Sequence, residues 1–209
     1  MRILVAGATG VLGRATLPHL KRHDVLGLTR AREKLPLLRA LGAEGVVCDV
    51  YDSGELIRLA QERRPQVVVN FVTDLSAGIS EANNRARREG GKNLVSAAEA
   101  AGSRRLILES VAFPLERPAA EALEQMEQTA LESPIEVLIL RFGRLWDRPL
   151  STRSRPSLQR STSRMPALER QPSSSRAQPG PMSSPRQPRH HRLDRVLERS
   201  LGRTPVSRE

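Results

Sequence analysis

The chain opens on an apolar run, Ile3, Leu4 and Val5, that passes into glycines at positions 7, 10 and 13. A short continuous run of this kind reads as a strand buried on both faces, and the period changes after the glycines. Leu12, Ala15, Thr16, Leu17 and Leu20 recur at helical spacing, so the turn joins a strand to a helix. The alternation then repeats. Residues 25–29 predict a second strand, 33–41 a helix closed by Gly42, and 46–48 a third strand. A helix over 54–63 follows, then a strand over 67–72 whose β-branched residues need cover on both faces. A long helix from about Ile79 to Ala101 leads to a fifth strand at 106–108. Pro118 fits the first turn of a helix running to about Glu132, and 135–140 supplies a sixth strand. Strand and helix in alternation predict an α/β fold, a doubly wound, mainly parallel sheet that takes ligands at the carboxyl ends of its strands.

This pattern stops near Asp147. Residues 151–209 hold 13 Arg, 12 Ser and 8 Pro but no aromatic residue, and with 4 acidic residues their net charge is +9. Residues 1–150 hold 21 basic and 19 acidic residues, a net of +2, so the isoelectric point of about 11.3 belongs to the tail. A segment of that composition cannot bury enough apolar surface to offset its ordering entropy. The expected organisation is therefore an ordered domain over 1–148 and a disordered Arg/Ser/Pro-rich tail over 149–209. Within the tail, Leu193, Val196, Leu197 and Leu201 followed by Gly202 allow one short helix, and His190-His191 form only a weak ligand pair. Thirteen arginines there would neutralise phosphates in a salt-dependent way, although the lack of aromatics removes base-stacking platforms. Nucleic acid is thus expected as a partner only through the tail. Cys48 is the only cysteine, which excludes an internal disulfide and fits a small buried residue in a reducing compartment. Neither a leader pattern nor an apolar run of roughly 20 residues is present, so a cytoplasmic protein without membrane contact is expected.

The glycine spacing carries the chemistry. Gly7 lets the chain leave the strand in a tight turn, Gly10 removes a Cβ that would hold phosphate oxygens off the backbone N–H groups, and Gly13 lets the helix pack closely on the sheet. The N–H groups at the start of the following helix then receive a pyrophosphate. The second strand ends Thr29-Arg30-Ala31-Arg32, with no acid to bond the ribose hydroxyls, which favours NADP while leaving NAD open. The alternative is that Arg30 and Arg32 are solvated surface charges. Asp49, after the third strand, falls nearer the adenine.

GATGVLG, the CDV after the third strand, VVVNF in the fourth, GGKNLVSAAEAAG in the long helix, LILES in the fifth and LRFGRLW after the sixth occur in one order. Together they resemble the extended or atypical short-chain dehydrogenase/reductase superfamily, in its NAD-dependent epimerase/dehydratase branch, over residues 1 to about 148. The resemblance implies an NAD(P)-binding Rossmann fold and places Gly7, Thr9, Gly10, Val11, Leu12 and Gly13 at the pyrophosphate. It likewise places Arg30 at the adenosine ribose, Asp49 and Val50 by the adenine, and Asn70, Phe71 and Val72 along the cofactor. Ser110 matches the hydroxyl that orients the substrate. The implied activity is oxidoreductase- or isomerase-like, on a sugar nucleotide or related carbonyl or hydroxyl substrate.

The departures are specific. The family's Tyr-x-x-x-Lys pair, in which a cation lowers the phenol's pKa for proton exchange, is missing. Tyr51 is the only tyrosine, Lys21, Lys34 and Lys92 are the only lysines, and the expected positions hold Glu116 and Ala120. Glu116 stands in an acidic stretch with Glu109, Glu121, Glu124 and Glu127 and reads as a solvated charge rather than a base. His19 and His23 flank the first helix without metal-ligand spacing. A non-catalytic NAD(P)-sensing regulator is therefore the alternative function. The tail also has the look of GC-rich coding DNA read out of frame. Around Met165-Pro166 and Met182-Ser183 a shifted frame permits Glu-Asp-Ala and Tyr-Val segments that resemble the family's C-terminal substrate lobe.

Overall fold

The computed structural model describes residues 1–74 and 80–143. The expected tail over 149–209, its boundary at 148 and the short helical pattern near Leu193 lie outside the described residues.

Six parallel strands form one sheet: β1 (Arg2–Ala6), β2 (Asp24–Thr29), β3 (Glu44–Val47), β4 (Val67–Asn70), β5 (Arg105–Val111) and β6 (Glu136–Phe142). Their spatial order is β3-β2-β1-β4-β5-β6, so the chain moves outward from β1 on one side, returns, and continues on the other. The connections are helical: α1 (Val11–Thr16), α2 (Leu35–Ala40), α3 (Ser53–Arg63), α4 (Glu81–Arg85), α5 (Gly91–Ala100) and α6 (Ala119–Leu131). The doubly wound parallel sheet is thus the one its alternating pattern predicts.

Because the inner strands are apolar throughout, each residue faces one of two cores. Leu4, Ala6, Val68, Leu106 and Leu108 pack with Leu56 of α3, Leu94 of α5 and Met126 of α6. Ile3, Val5, Val67, Val69 and Ile107 pack on the opposite face with Leu12 of α1 and Leu38 of α2. Ala15, at helical spacing with Leu12, is exposed instead.

The helix expected from about Ile79 to Ala101 is a compound one. Its described part begins at α4, capped by the Ser80 hydroxyl, which accepts from the Asn83 N–H at 3.4 Å. A π-helical turn, Ala86–Gly90, then joins α4 to α5. Such a turn inserts an extra residue, and Arg87 within it is buried. No helix of the described residues is long and apolar enough to cross a membrane.

Candidate functional site

A crevice opens where the direction of winding reverses, between the ends of β1 and β4. Two backbone devices hold it. Gly7 has φ +74, a left-handed conformation, and a Cβ there would lie 2.3 Å from the Phe71 carbonyl oxygen. Gly13 passes so close beneath the same turn that its Cβ would lie 2.4 Å from the Gly7 oxygen and 2.5 Å from the Ala8 oxygen. Gly13 therefore fits α1 against the glycine turn itself, rather than against the sheet. Gly10 donates its N–H to the Gly7 oxygen at 3.0 Å and stands immediately before α1.

On the other side, β4 stops sooner than expected. Asn70 is buried, and its Oδ1 accepts the Val72 N–H at 3.0 Å, which turns the chain away from the sheet after Phe71. Asp74 is tied in turn by its N–H to Asn83 Oδ1 at 3.0 Å. The result is a cavity of about 420 Å³, in the size range of small-molecule sites.

Of the residues expected at the cofactor, Gly7, Thr9, Gly10, Val11, Leu12, Arg30, Val50, Phe71 and Val72 line this cavity. Gly13, Asp49 and Asn70 stand behind its wall as supports. Asp49 Oδ1 accepts the Tyr51 N–H at 3.0 Å, and Asn93 of α5 donates to the Val50 oxygen at 2.9 Å, so the loop after β3 is fixed from both sides.

Ser110 lies elsewhere. It is buried on the α6 side, where its hydroxyl donates to Glu127, which also receives the Arg141 guanidinium. This group ties β5, β6 and α6 together. Glu127→Ala is expected to lower stability by about 1–2 kcal/mol in urea denaturation, because Ser110 and Arg141 both lose a charge-assisted partner.

At one end of the cavity two arginines act on Tyr51, and Lys34 stands in the same lining. Arg30 is the middle residue of a turn in which the Ala31 N–H donates to Thr29 Oγ1 at 3.2 Å, and Lys34 reaches the cavity wall from the short 3₁₀ turn after β2. The Arg85 guanidinium lies 4.3 Å from the Tyr51 ring centroid, a cation–π contact. Burial pushes the Tyr51 phenol above its ordinary 10, while Arg85 and Arg30 pull it the other way. Arg32, paired with Arg30 by sequence, is not among the lining residues, and Lys34 takes that place. Cys48 is buried in the wall, and burial raises its thiol to about 11, so it is not a thiolate nucleophile.

The opposite end holds Glu109 of β5. In sequence it is one of an acidic stretch, yet it emerges one residue past Leu108, the last partner of β4, and shares the cavity lining with Phe71. Burial raises its carboxyl from 4.5 to about 7, and the Arg87 charge acts in the opposite direction. Burial correspondingly lowers Arg87.

Residues 3–131 match the NAD-dependent epimerase/dehydratase family. A 3-diazoavenalumate denitrifying reductase from Streptomyces sp is 32% identical over 176 residues, 70% of this chain and 57% of that protein. WbmG of Bordetella bronchiseptica, solved with NAD and also with NAD and UDP, is 25% identical with a TM-score of 0.57, over 68% of this chain and 52% of its own. ChuY, an anaerobillin reductase from Escherichia coli O157:H7, is 18% identical with a TM-score of 0.55, over 68% and 72%, and shows the fold alone. The chain therefore spans little more than half the length of the Streptomyces and Bordetella relatives. The family match runs from β1 to the end of α6 and takes in the elements that wall the cavity. The chain belongs to the NAD-dependent epimerase/dehydratase family.

Proposed function

We propose that the cleft binds a nicotinamide dinucleotide, with NADP preferred over NAD, as the core of a reductase- or isomerase-like protein acting on a carbonyl, hydroxyl or sugar-nucleotide substrate. The observation that carries the NADP preference is the pairing of Arg30 and Lys34 in the cavity wall with no acid at the end of β2. The glycine turn fits the pyrophosphate, because Gly7 lets it lie against the β4 exit and Gly10 sets no side chain before the first N–H groups of α1. Val50 and the Tyr51 ring flank the adenine end. When bound, the nicotinamide supplies or accepts a hydride. The chain's own residues hold it. That WbmG takes NAD and UDP, and that the Streptomyces relative is a reductase, supports this substrate class.

Calorimetric titration of the full chain with NADP and with NAD tests the reading. The expected result is tighter NADP binding that Arg30→Asp weakens roughly 10- to 100-fold, the range for one charge-assisted contact, with NAD affinity little changed. Absence of heat and of any melting shift with either cofactor at millimolar concentration would remove the proposal.

A second reading, a cofactor-sensing regulator without turnover, is favoured by the position of the lone tyrosine. Tyr51 sits at the Arg30 corner with no lysine in Tyr-x-x-x-Lys spacing. Binding without loss of NADPH absorbance against panels of carbonyl compounds and sugar nucleotides selects it.

A further inference from the structure

Glu109 and Arg87 are a carboxyl and a guanidinium that face one another without touching. Among the described residues Arg87 is 6% exposed and makes one hydrogen bond, from Nη1 to the Ala119 oxygen at 3.4 Å. Glu109 lines the cavity and makes no hydrogen bond or ion pair to a described residue. A buried cation thus biases the Glu109 carboxyl from behind, and the cavity leaves its front open to a ligand. No histidine lines the cavity. The other charged groups on its wall are Asp74, from the loop after β4, and Arg30 and Lys34 at the far end.

The sheet order fixes which part of a dinucleotide would meet Glu109. The Arg30, Lys34 and Tyr51 corner belongs to β2 and β3, whereas Glu109 belongs to β5, on the other side of β1. A dinucleotide with its pyrophosphate on the glycine turn and its adenosine over β2 and β3 extends its second half toward β4 and β5. That half carries a positive charge on the ring when oxidised and none when reduced.

We propose that Glu109 is a proton-exchanging wall of the cleft's reactive end, ionised beside an oxidised nicotinamide and protonated beside a reduced one. Binding of the oxidised cofactor then releases a proton from the Glu109 carboxyl to solvent, with no covalent change in the ligand. The proposal rests on the cofactor reading above. Its physical basis is reciprocal: a ligand charge that favours ionised Glu109 must bind more tightly once Glu109 is ionised. A carboxyl that titrates near neutrality makes this coupling visible in the working range.

The test compares NADP⁺ and NADPH affinities of the full chain at about pH 6 and about pH 8, where a one-unit fall in the carboxyl pKa corresponds to about tenfold in affinity. NADP⁺ is expected to gain up to about tenfold over that interval relative to NADPH, and titration of the phosphates cancels because both forms carry them. Calorimetry in two buffers of different ionisation enthalpy should show fractional proton release with NADP⁺. Glu109→Gln should abolish that release, and Glu109→Asp should retain it with a displaced midpoint. Identical pH profiles for the two forms in the wild type, or release that persists in Glu109→Gln, overturns the proposal while leaving cofactor binding intact. Should Glu109→Gln fail to fold, release with an unchanged midpoint in a folded Glu109→Asp overturns it equally. If neither form binds, both this proposal and the cofactor reading fall.

Discussion

Gly7→Ala is expected to abolish cofactor binding and to destabilise the domain by more than about 3 kcal/mol, because two independent penalties fall on one atom. The residue sits at φ +74, where an L side chain is strained, and its new Cβ would meet the Phe71 oxygen at 2.3 Å and the Val72 nitrogen at 2.9 Å. Both are backbone atoms held by the β4 exit, so neither can move aside as a flexible side chain would. Relief requires Phe71 to leave its bond to the Ala6 oxygen, 3.0 Å long, which is the last rung between β1 and β4. Gly13→Ala meets the Gly7 and Ala8 oxygens at 2.4 and 2.5 Å and should behave alike. Gly10→Ala is the internal control, with only the Gly7 oxygen at 3.2 Å, and should fold nearly as the wild type does. Urea denaturation of the three variants, followed by NADP titration of those that fold, checks the order. Wild-type stability for Gly7→Ala would mean that the turn does not approach β4 as described.

The same atoms show why the turn was legible from the sequence. A glycine is demanded wherever backbone approaches backbone, and such demands leave a spaced signature. Strand positions were legible for a similar reason: residues buried on both faces read as unbroken apolar runs, and 67–69 and 106–108 are of that kind. Strand ends were less so. The apolar run at 67–72 continues through Phe71 and Val72, yet β4 ends at Asn70, because a buried amide that captures the Val72 N–H competes with the next ladder bond. The π-helical turn left no signal distinguishable from ordinary helix, and with it the burial of Arg87 was hidden.

Site residues divide in the same way. Those on the glycine turn follow from local spacing, but the far wall is assembled from separate elements. Lys34 enters the cavity through a 3₁₀ turn where a plain helix was expected, and Tyr51 faces it because Asp49 holds the Tyr51 N–H. Charge alone does not single out Glu109 in the sequence, because acidic neighbours dominate that stretch. One local cue existed: it continues the apolar strand 106–108 at the carboxyl end, where a parallel sheet presents its ligands. Ser110, next along the strand, points to the α6 side instead, as strand alternation requires.

Glu109→Gln is expected to stabilise the protein at about pH 8 by up to roughly 3 kcal/mol and to change little near pH 4, a pH-dependent gain that a merely structural glutamate would not produce. The carboxyl moves from 4.5 to about 7 on folding, with burial as the first cause. A carboxyl whose folded pKa is raised binds its proton more tightly in the native state. Its contribution is therefore fully favourable below the unfolded value of about 4.5 and is lost progressively as pH rises through about 7. Above that, the native state must either hold a desolvated carboxylate, relieved only in part by Arg87, or unfold to hydrate it. Glutamine keeps the shape and removes the ionisation, so the variant's stability curve should stay flat across the interval in which the wild type declines. Arg87→Met makes the complementary case: without the opposing cation the carboxyl should titrate still higher, so the decline should start at the same pH as in the wild type but continue to higher pH and become larger in total. Urea unfolding from about pH 4 to about pH 8 measures both curves, and parallel curves for wild type and Glu109→Gln would show that Glu109 is hydrated in the native state. A carboxyl in the wall of the cleft that Arg87 relieves only in part is one whose cost a positively charged ligand would lower further.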